Sequence, residues 1–151
     1  GPVFELFDRV VIAVENQEFD KSIAERYLSC AEVIKLDDIL SVKFKPDLVV
    51  CFNAHLTCLA HQMLPQDLDR IVYYCQDFES GFFPYGADYI VGERAVACSK
   101  NLIVSTILLR KFFEDSNLIN NQNVFVTKPK IEILEVPVQK NKKIFIGVYK
   151  T

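Results

Sequence analysis

The sequence lacks the short motifs that mark the commonest catalytic and phosphate-binding sites. It has only five glycines among 151 residues, and none of them forms a Gly-x-Gly-x-x-Gly or Gly-Lys-Ser/Thr segment. This absence excludes the standard dinucleotide and P-loop phosphate sites. A Gly-x-Ser-x-Gly nucleophile motif is also missing, which disfavours a hydrolase of that type. The two histidines and the cysteines do not have metal-ligand spacing, so we expect no metal and no cofactor.

Membrane-spanning and nucleic-acid-binding proteins are also disfavoured. No stretch reaches the roughly 18 apolar residues that a membrane helix needs, and the N-terminal segment does not resemble a signal peptide. The net charge is -3, whereas nucleic-acid-binding domains usually present a basic face. Lysines cluster between Lys128 and Lys150, but prolines interrupt them, which favours a solvated tail. Five cysteines without a Cys-x-x-Cys pair predict a reducing cytoplasm.

What the sequence does contain is a regular alternation of strand and helix patterns. Apolar, β-branched segments predict strands at 9–14, 32–36, 48–52, 71–75, 102–104 and 124–126. Apolar spacing and capping residues predict helices at about 20–28, 37–42, 54–64, 89–98 and 105–113. Strands alternating with helices over short connections are typical of a doubly wound parallel sheet. We therefore predict an α/β, Rossmann-like domain with one parallel sheet of five or six strands and helices on both faces.

The predicted domain covers residues 3–127. We interpret Gly1-Pro2 as the scar of a cleaved expression tag. From residue 128 onwards the pattern loosens around two prolines, which predicts a linker and the start of a following strand or domain at 128–151. On this interpretation the chain is a fragment of a longer protein.

The most informative stretch lies at the end of the predicted strand 71–75. That strand stops abruptly at Gln76-Asp77-Phe78-Glu79, and Phe83-Pro84-Tyr85-Gly86 follow. Closely spaced glycines predict either positive φ angles or a close approach of the backbone to another group. The glycines concerned are Gly81, Gly86 and Gly92.

This loop resembles one in the acceptor-side domain of bacterial family-4 glycosyltransferases of the GT-B fold, in particular the rhamnosyltransferases of cell-surface polysaccharide synthesis. In that family a strand ends in Gln-Asp-(Tyr/Phe)-Glu, and an aromatic-Pro-x-Gly turn, a Tyr and an Ala-Glu pair follow. The matching residues here are Gln76 to Glu79, Phe83 to Gly86, Tyr89 and Gly92-Glu93. Gly92 departs from the usual alanine.

The resemblance implies the N-terminal domain of a glycosyltransferase that transfers a sugar from a nucleotide sugar to a growing cell-surface glycan, such as capsule or O-antigen. It implies a glycan acceptor as partner and a nucleotide sugar bound through a second domain. It also implies a cytoplasmic location, with peripheral contact to the inner membrane left open. A fragment without the second domain is expected to be inactive.

Polar residues follow several of the predicted strands. In an open parallel sheet, ligands bind outside the carboxyl ends of the strands, so we expect these residues to border one cleft. Sugar transfer needs a base to deprotonate the acceptor hydroxyl, and the candidates in order are Asp77, His55 and Glu79. The candidate substrate-binding residues are Glu15, Asn16, Asn53, Gln76, Phe82, Phe83, Tyr85, Gly86 and Ser105.

Each candidate also has a structural explanation. Asn53 could simply cap a helix, Asp77 and Glu79 could stabilise the loop, and Phe82 and Phe83 could anchor it in the core. The competing functional hypothesis is a non-catalytic, Rossmann-like binding or interaction module of a larger polysaccharide-assembly protein, in which the loop serves folding. A second α/β domain beyond Thr151 would favour the enzyme.

Overall fold

The computed structural model describes residues 8–14, 31–41 and 45–127. These ranges contain six strands and three α-helices, and every strand pair is parallel. The chain divides into two compact units, Gly1–Asp47 and Leu48–Thr151. No helix in the described ranges is long and apolar enough to cross a bilayer.

The first unit contains a two-stranded parallel sheet. Strands β1 (Val10–Val14) and β2 (Ala31–Lys35) pair along their whole length, with Val10 opposite Ala31. A short 3-10 helix, Leu36–Ser41, follows β2. The predicted helix at about 20–28 and the candidate site residues Glu15 and Asn16 lie outside the described residues.

The second unit is a four-stranded parallel sheet in which each strand is joined to the next through a helix. The strand order is β3-β4-β5-β6. The elements are β3 (Val49–Cys51), α1 (Ala54–Met63), β4 (Ile71–Cys75), α2 (Ala87–Cys98), β5 (Asn101–Val104), α3 (Ile107–Asp115) and β6 (Asn123–Val126). Side chains at alternate positions of one strand point to opposite faces of the sheet, so each strand contributes to both faces.

One face of this sheet forms the core. Tyr73 and Cys75 of β4 and Leu102 and Val104 of β5 are fully buried, and they cluster with Phe113 of α3. Burying a large apolar side chain contributes roughly 1.5–3 kcal/mol. The core therefore fixes β4 and β5 as the centre of the unit.

The other face of the four-stranded sheet is apolar but more exposed. Val50 is 39% exposed and Phe125 is 61% exposed. Phe52, just beyond β3, packs its ring against Tyr74 with the ring centroids 5.5 Å apart. The sequence predicts burial of both faces because the strands are apolar at every position. Among the described residues of this unit, only one face is closely covered.

The α/β class and the parallel strands predicted from the sequence are confirmed. Each strand lies within one residue of its predicted position, and the three α-helices begin and end within two residues of theirs. A single sheet of five or six strands with helices on both faces stays a prediction, because the described strands form one sheet of four and one of two.

Helix α2 packs closely against the loop that follows β4. That loop contains a 3-10 turn, Glu79–Phe82, in which the buried Ser80 donates its hydroxyl hydrogen to the Tyr89 carbonyl oxygen at 2.9 Å. A Cβ atom added at Gly92 would lie 2.2 Å from Ser80 Oγ and 2.9 Å from Ser80 N. No glycine in the described ranges has a positive φ. Of the two explanations for the closely spaced glycines, close approach of another group therefore applies, and it applies at Gly92.

We expect Gly92→Ala to lower the free energy of unfolding by about 1–3 kcal/mol, because the added methyl group overpacks the contact with Ser80. Helix propensity alone predicts the opposite, since alanine is favoured over glycine in a helix by about 1 kcal/mol. Urea denaturation measures the difference. Gly86→Ala is the matched control, because a Cβ there meets only Pro84 O at an ordinary 3.7 Å. If Gly92→Ala is as stable as the control, the close approach does not constrain this position.

Candidate functional site

The carboxyl ends of β3, β4, β5 and β6 lie along one edge of the sheet, because all four strands are parallel. Asn53, Gln76 and Ser105 follow three of these ends. Ser105 donates its backbone N–H to the Cys75 carbonyl oxygen at 3.2 Å, and its hydroxyl to the Gln76 carbonyl oxygen. The predicted neighbours Gln76 and Ser105 therefore meet at this edge, through the Gln76 backbone.

Asn53 caps helix α1. Its Oδ1 accepts a hydrogen bond from Leu56 N at 2.8 Å, and its carbonyl oxygen accepts from Thr57 N at 3.0 Å. The side-chain oxygen thus satisfies an N–H group that has no partner within the helix. The geometry favours the structural explanation of Asn53 over direct ligand binding.

Glu79 connects the loop to two other elements. Its Oε2 accepts from Ala54 N at 3.0 Å, at the start of α1, and its Oε1 accepts from the Tyr73 hydroxyl at 2.8 Å. A carboxylate at a helix N-terminus is favoured by the helix dipole. Burial is the main reason that the pKa of Tyr73 is raised, and the neighbouring Cys75 and Glu79 add to the effect. Glu79 therefore has a structural role that occupies both of its oxygens.

Asp77 and His55 are the candidate bases that face solvent. The Asp77 side chain is exposed and makes no hydrogen bond or ion pair with any residue in the described ranges, although its carbonyl oxygen accepts from the Cys75 thiol at 3.0 Å. His55 Nε2 lies 3.3 Å from Asp88 Oδ1, and both side chains are more than half exposed. Asp88 was not among the predicted site residues, because only packing of α1 beside α2 brings it to His55.

Three aromatic side chains of the loop are exposed. Phe82 is 69% exposed, Phe83 is 43% exposed and Tyr85 is 83% exposed. The interpretation in which Phe82 and Phe83 anchor the loop in the core therefore does not fit. Gly86, the N-cap residue of α2, has extended backbone and no side-chain cap.

The loop is anchored instead by Phe78. Its ring centroid lies 4.9 Å from that of Phe112, 6.1 Å from that of Phe113 and 6.3 Å from that of Tyr89. Tyr89 in turn lies 5.1 Å from the exposed Tyr85. These five rings form a continuous series from the core to the surface. Edge-on and tilted ring pairs of this kind add roughly 0.5–1.5 kcal/mol each beyond their buried area.

The carboxyl edge can recognise a hydroxyl-rich ligand. The Gln76 amide offers donors and an acceptor, Asp77 offers acceptors, and the exposed rings offer apolar faces. No group of three His, Cys, Asp or Glu side chains within the described part of the chain could hold a metal ion. The chemistry that these residues support is hydrogen bonding, stacking and proton transfer.

Comparison with known proteins adds no family to these observations. A scan of the chain against protein-family models gives no match. A search of curated proteins gives no match at its threshold either. The functional assignment therefore depends on the carboxyl edge and on the resemblance of the loop.

We expect Glu79→Gln to destabilise the second unit by about 1–2 kcal/mol. The neutral amide loses the charge at the start of α1 and cannot serve both Ala54 N and the Tyr73 hydroxyl as a charged acceptor. Chemical denaturation measures the change. Asp77→Asn is the matched control on the same loop, and an exposed substitution of this kind is expected to stay within about 0.5 kcal/mol. Equal stability of the two variants would contradict the structural role of Glu79.

Proposed function

We propose that this chain is the N-terminal, acceptor-side domain of a GT-B glycosyltransferase that transfers a sugar from a nucleotide sugar to a growing cell-surface glycan. The observation that carries the proposal is the loop between β4 and α2. It presents Phe82, Phe83 and Tyr85 to solvent at the carboxyl edge of a parallel sheet, together with Gln76 and Asp77. Ligands bind at this edge in open α/β sheets.

The exposed rings favour a saccharide over a smaller polar ligand. Neighbouring exposed aromatic side chains form an apolar patch, and apolar patches on a protein surface often mark a site that binds a ligand or a partner. A sugar ring has apolar C–H faces that pack on aromatic rings, and hydroxyl groups that need both donors and acceptors. Tyr85 and Phe82 supply the first kind of contact, and Gln76 and Asp77 supply the second.

We extend the proposal to the fold and the location. The chain would form a single doubly wound sheet of five or six strands with helices on both faces. One support is that all described strands pair in parallel. The other is the apolar sheet face of the second unit, where Val50, Phe52 and Phe125 are exposed. Parallel sheets are normally covered on both faces. A cytoplasmic location, with peripheral contact to the inner membrane, belongs to the same proposal.

Asp77 is the proposed general base for the acceptor hydroxyl. Its carboxylate is exposed and not engaged by the described part of the chain, so it can accept a hydrogen bond from a substrate. His55, oriented by Asp88 at 3.3 Å, is the second candidate. Glu79 is the third, because its two oxygens already accept hydrogen bonds from Ala54 and Tyr73. The second domain would supply the groups that neutralise the leaving diphosphate.

The alternative function is a non-catalytic binding or interaction module. One observation favours it: Asn53, Glu79 and Ser105 all form hydrogen bonds within the fold, as residues retained for folding would. The two functions differ in what the exposed residues do. An enzyme needs Asp77 as a proton acceptor, whereas a binding module needs only the rings.

The first test is saccharide binding by the 151-residue chain. Titration with methyl rhamnoside and a panel of oligosaccharides, followed by amide chemical shifts, is expected to perturb residues 76–89 with a dissociation constant of about 1 mM, which corresponds to roughly -4 kcal/mol. Tyr85→Ala should weaken binding several-fold, because stacking area is lost. Phe125→Ala, which removes an exposed ring from β6, is the control and should bind normally.

Two results of this titration would oppose the proposal. Shifts that avoid residues 76–89 would place the saccharide elsewhere. Micromolar binding of UDP-, GDP- or dTDP-sugars to this chain alone, measured by calorimetry, would put the donor site here and contradict the division between two domains. We expect only weak nucleotide-sugar binding, since a closed cleft between two domains supplies most contacts to the diphosphate.

The second test concerns Asp77 in the full-length parent enzyme. Asp77→Asn keeps the shape of the side chain but removes the proton acceptor, so turnover should fall by about 10²–10⁴-fold. Melting temperature should change little. His55→Gln is the comparison variant. Retained turnover in Asp77→Asn together with a large loss in His55→Gln would assign the base to His55. Retained turnover in both would show that the base is neither Asp77 nor His55, whereas no turnover by the wild-type parent would favour the non-catalytic module.

A further inference from the structure

The carboxyl edge of the second unit carries acidic side chains but, among its described residues, no lysine or arginine. The described segments that form this edge are 52–56, 75–89, 104–108 and 126–127. They contain Asp77, Glu79 and Asp88 as their acidic residues. Fixed charges of one sign at a binding surface attract ligands of the opposite sign and repel ligands of the same sign. The proposed sugar site therefore favours a neutral or cationic ligand over an anionic one.

Tyr85 and Tyr89 form a ring pair next to these carboxylates. Their ring centroids are 5.1 Å apart, and Tyr85 is 83% exposed. Tyr89 is held in place by Phe78, whose ring lies edge-on to it with the centroids 6.3 Å apart. The face of an aromatic ring carries partial negative charge and attracts a cation within about 6 Å of its centroid. The pair therefore offers an accessible surface that suits a cation as well as an apolar C–H face.

Glu93 supplies a carboxylate to the same ring pair. It lies four residues after Tyr89 on α2, which is about one helical turn. The Tyr89 hydroxyl donates a hydrogen bond to the Glu93 carboxylate, and this bond is the main reason that the pKa of Tyr89 is raised. Glu93 forms no ion pair with any residue in the described ranges, whereas Glu114 on α3 pairs with Arg110 at 2.8 Å. The described part of the chain therefore leaves the negative charge beside the rings without a cation.

We propose that the acceptor saccharide carries a protonated amino group, which binds to Tyr85, Tyr89 and Glu93. This inference rests on the proposed sugar site and narrows its substrate class to amino sugars. An ammonium group has three donors and no acceptor, so it can donate to Glu93 while its charge lies over the ring faces. Gln76 and Phe82 remain for the hydroxyl groups and the apolar face of the sugar.

The expected preference for the amine is modest. An exposed contact between a cation and an aromatic ring favours the cation about two- to fivefold, and an exposed ion pair contributes up to about fivefold. An amino sugar should therefore bind roughly 5- to 20-fold tighter than the neutral sugar with the same ring. An acidic sugar should bind less tightly than the neutral one, because Asp77, Asp88 and Glu93 repel a carboxylate.

The test is a titration of the 151-residue chain at pH 6.5 and constant ionic strength, followed by amide chemical shifts. The ligands are glucose, glucosamine, N-acetylglucosamine and glucuronate, which share one ring type and differ in charge. Glucosamine should bind roughly 5- to 20-fold tighter than the two neutral sugars, with shifts in residues 85–93, and glucuronate should bind most weakly. Equal affinity for all four would overturn this inference and leave the sugar site standing. No binding of these sugars or of the oligosaccharide panel would overturn both.

Two variants assign the preference to its residues through the ratio of glucosamine affinity to glucose affinity. Glu93→Gln keeps the size of the side chain but removes its charge, so the ratio should fall about twofold or more. Tyr85→Leu keeps an apolar side chain but removes the ring face, and it should lower the ratio by a similar factor. Glu114→Gln, the same substitution on α3, is the matched control and should keep the wild-type ratio. An unchanged ratio in Glu93→Gln or in Tyr85→Leu would overturn the proposal.

Ethanolamine separates recognition of the saccharide from recognition of the amine alone. It carries an ammonium group and a hydroxyl group but no sugar ring. We expect it to bind more weakly than glucosamine, because it makes no contact with Phe82 and few with Gln76. Ethanolamine binding as tight as that of glucosamine would overturn the proposal, since the site would then recognise any small amine.

Discussion

The carboxylate of Glu79 connects the loop after β4 to strand β4 and to helix α1 in the second unit. One oxygen accepts from the Ala54 N–H at the start of α1, and the other accepts from the Tyr73 hydroxyl in β4. Tyr73 is fully buried, so its hydroxyl cannot be satisfied by bulk water. A short loop held at a strand and at a helix by one charged residue has little freedom to rearrange. The positions of its exposed side chains therefore depend on Glu79.

The same loop contains both packed and exposed side chains. Phe78 packs among the rings of Phe112 and Phe113, and Ser80 is buried against Gly92 of α2. Their neighbours Asp77 and Phe82 are exposed. A binding site needs both properties, because side chains that contact a ligand work best when a packed layer beneath them fixes their geometry. The close approach of Ser80 gives a physical reason for glycine at position 92.

Helices α1 and α2 pack against each other and carry different polar side chains at different positions along their length. His55 meets Asp88 in their first turns, where the proposed sugar site lies. His61 and Arg94 line a cavity further along. His55 and His61 are about 9 Å apart along the helix axis, given a rise of roughly 1.5 Å per residue. That separation places His61 away from the carboxyl edge at which His55 lies.

Local sequence determined where the elements of this protein lie. Strand β4 begins and ends at the predicted Ile71 and Cys75, and Asn53 caps α1 as its position before an apolar helix indicated, because capping and apolar periodicity depend on residues a few positions apart. Tertiary packing decided the rest. Glu79 accepts a hydrogen bond from Ala54, which lies 25 residues away in the sequence. Asp88 contacts His55 from a different helix. Phenylalanine is equally compatible with a core and a surface, so only the packing of α3 against the loop made Phe78 the anchor and left Phe82 exposed.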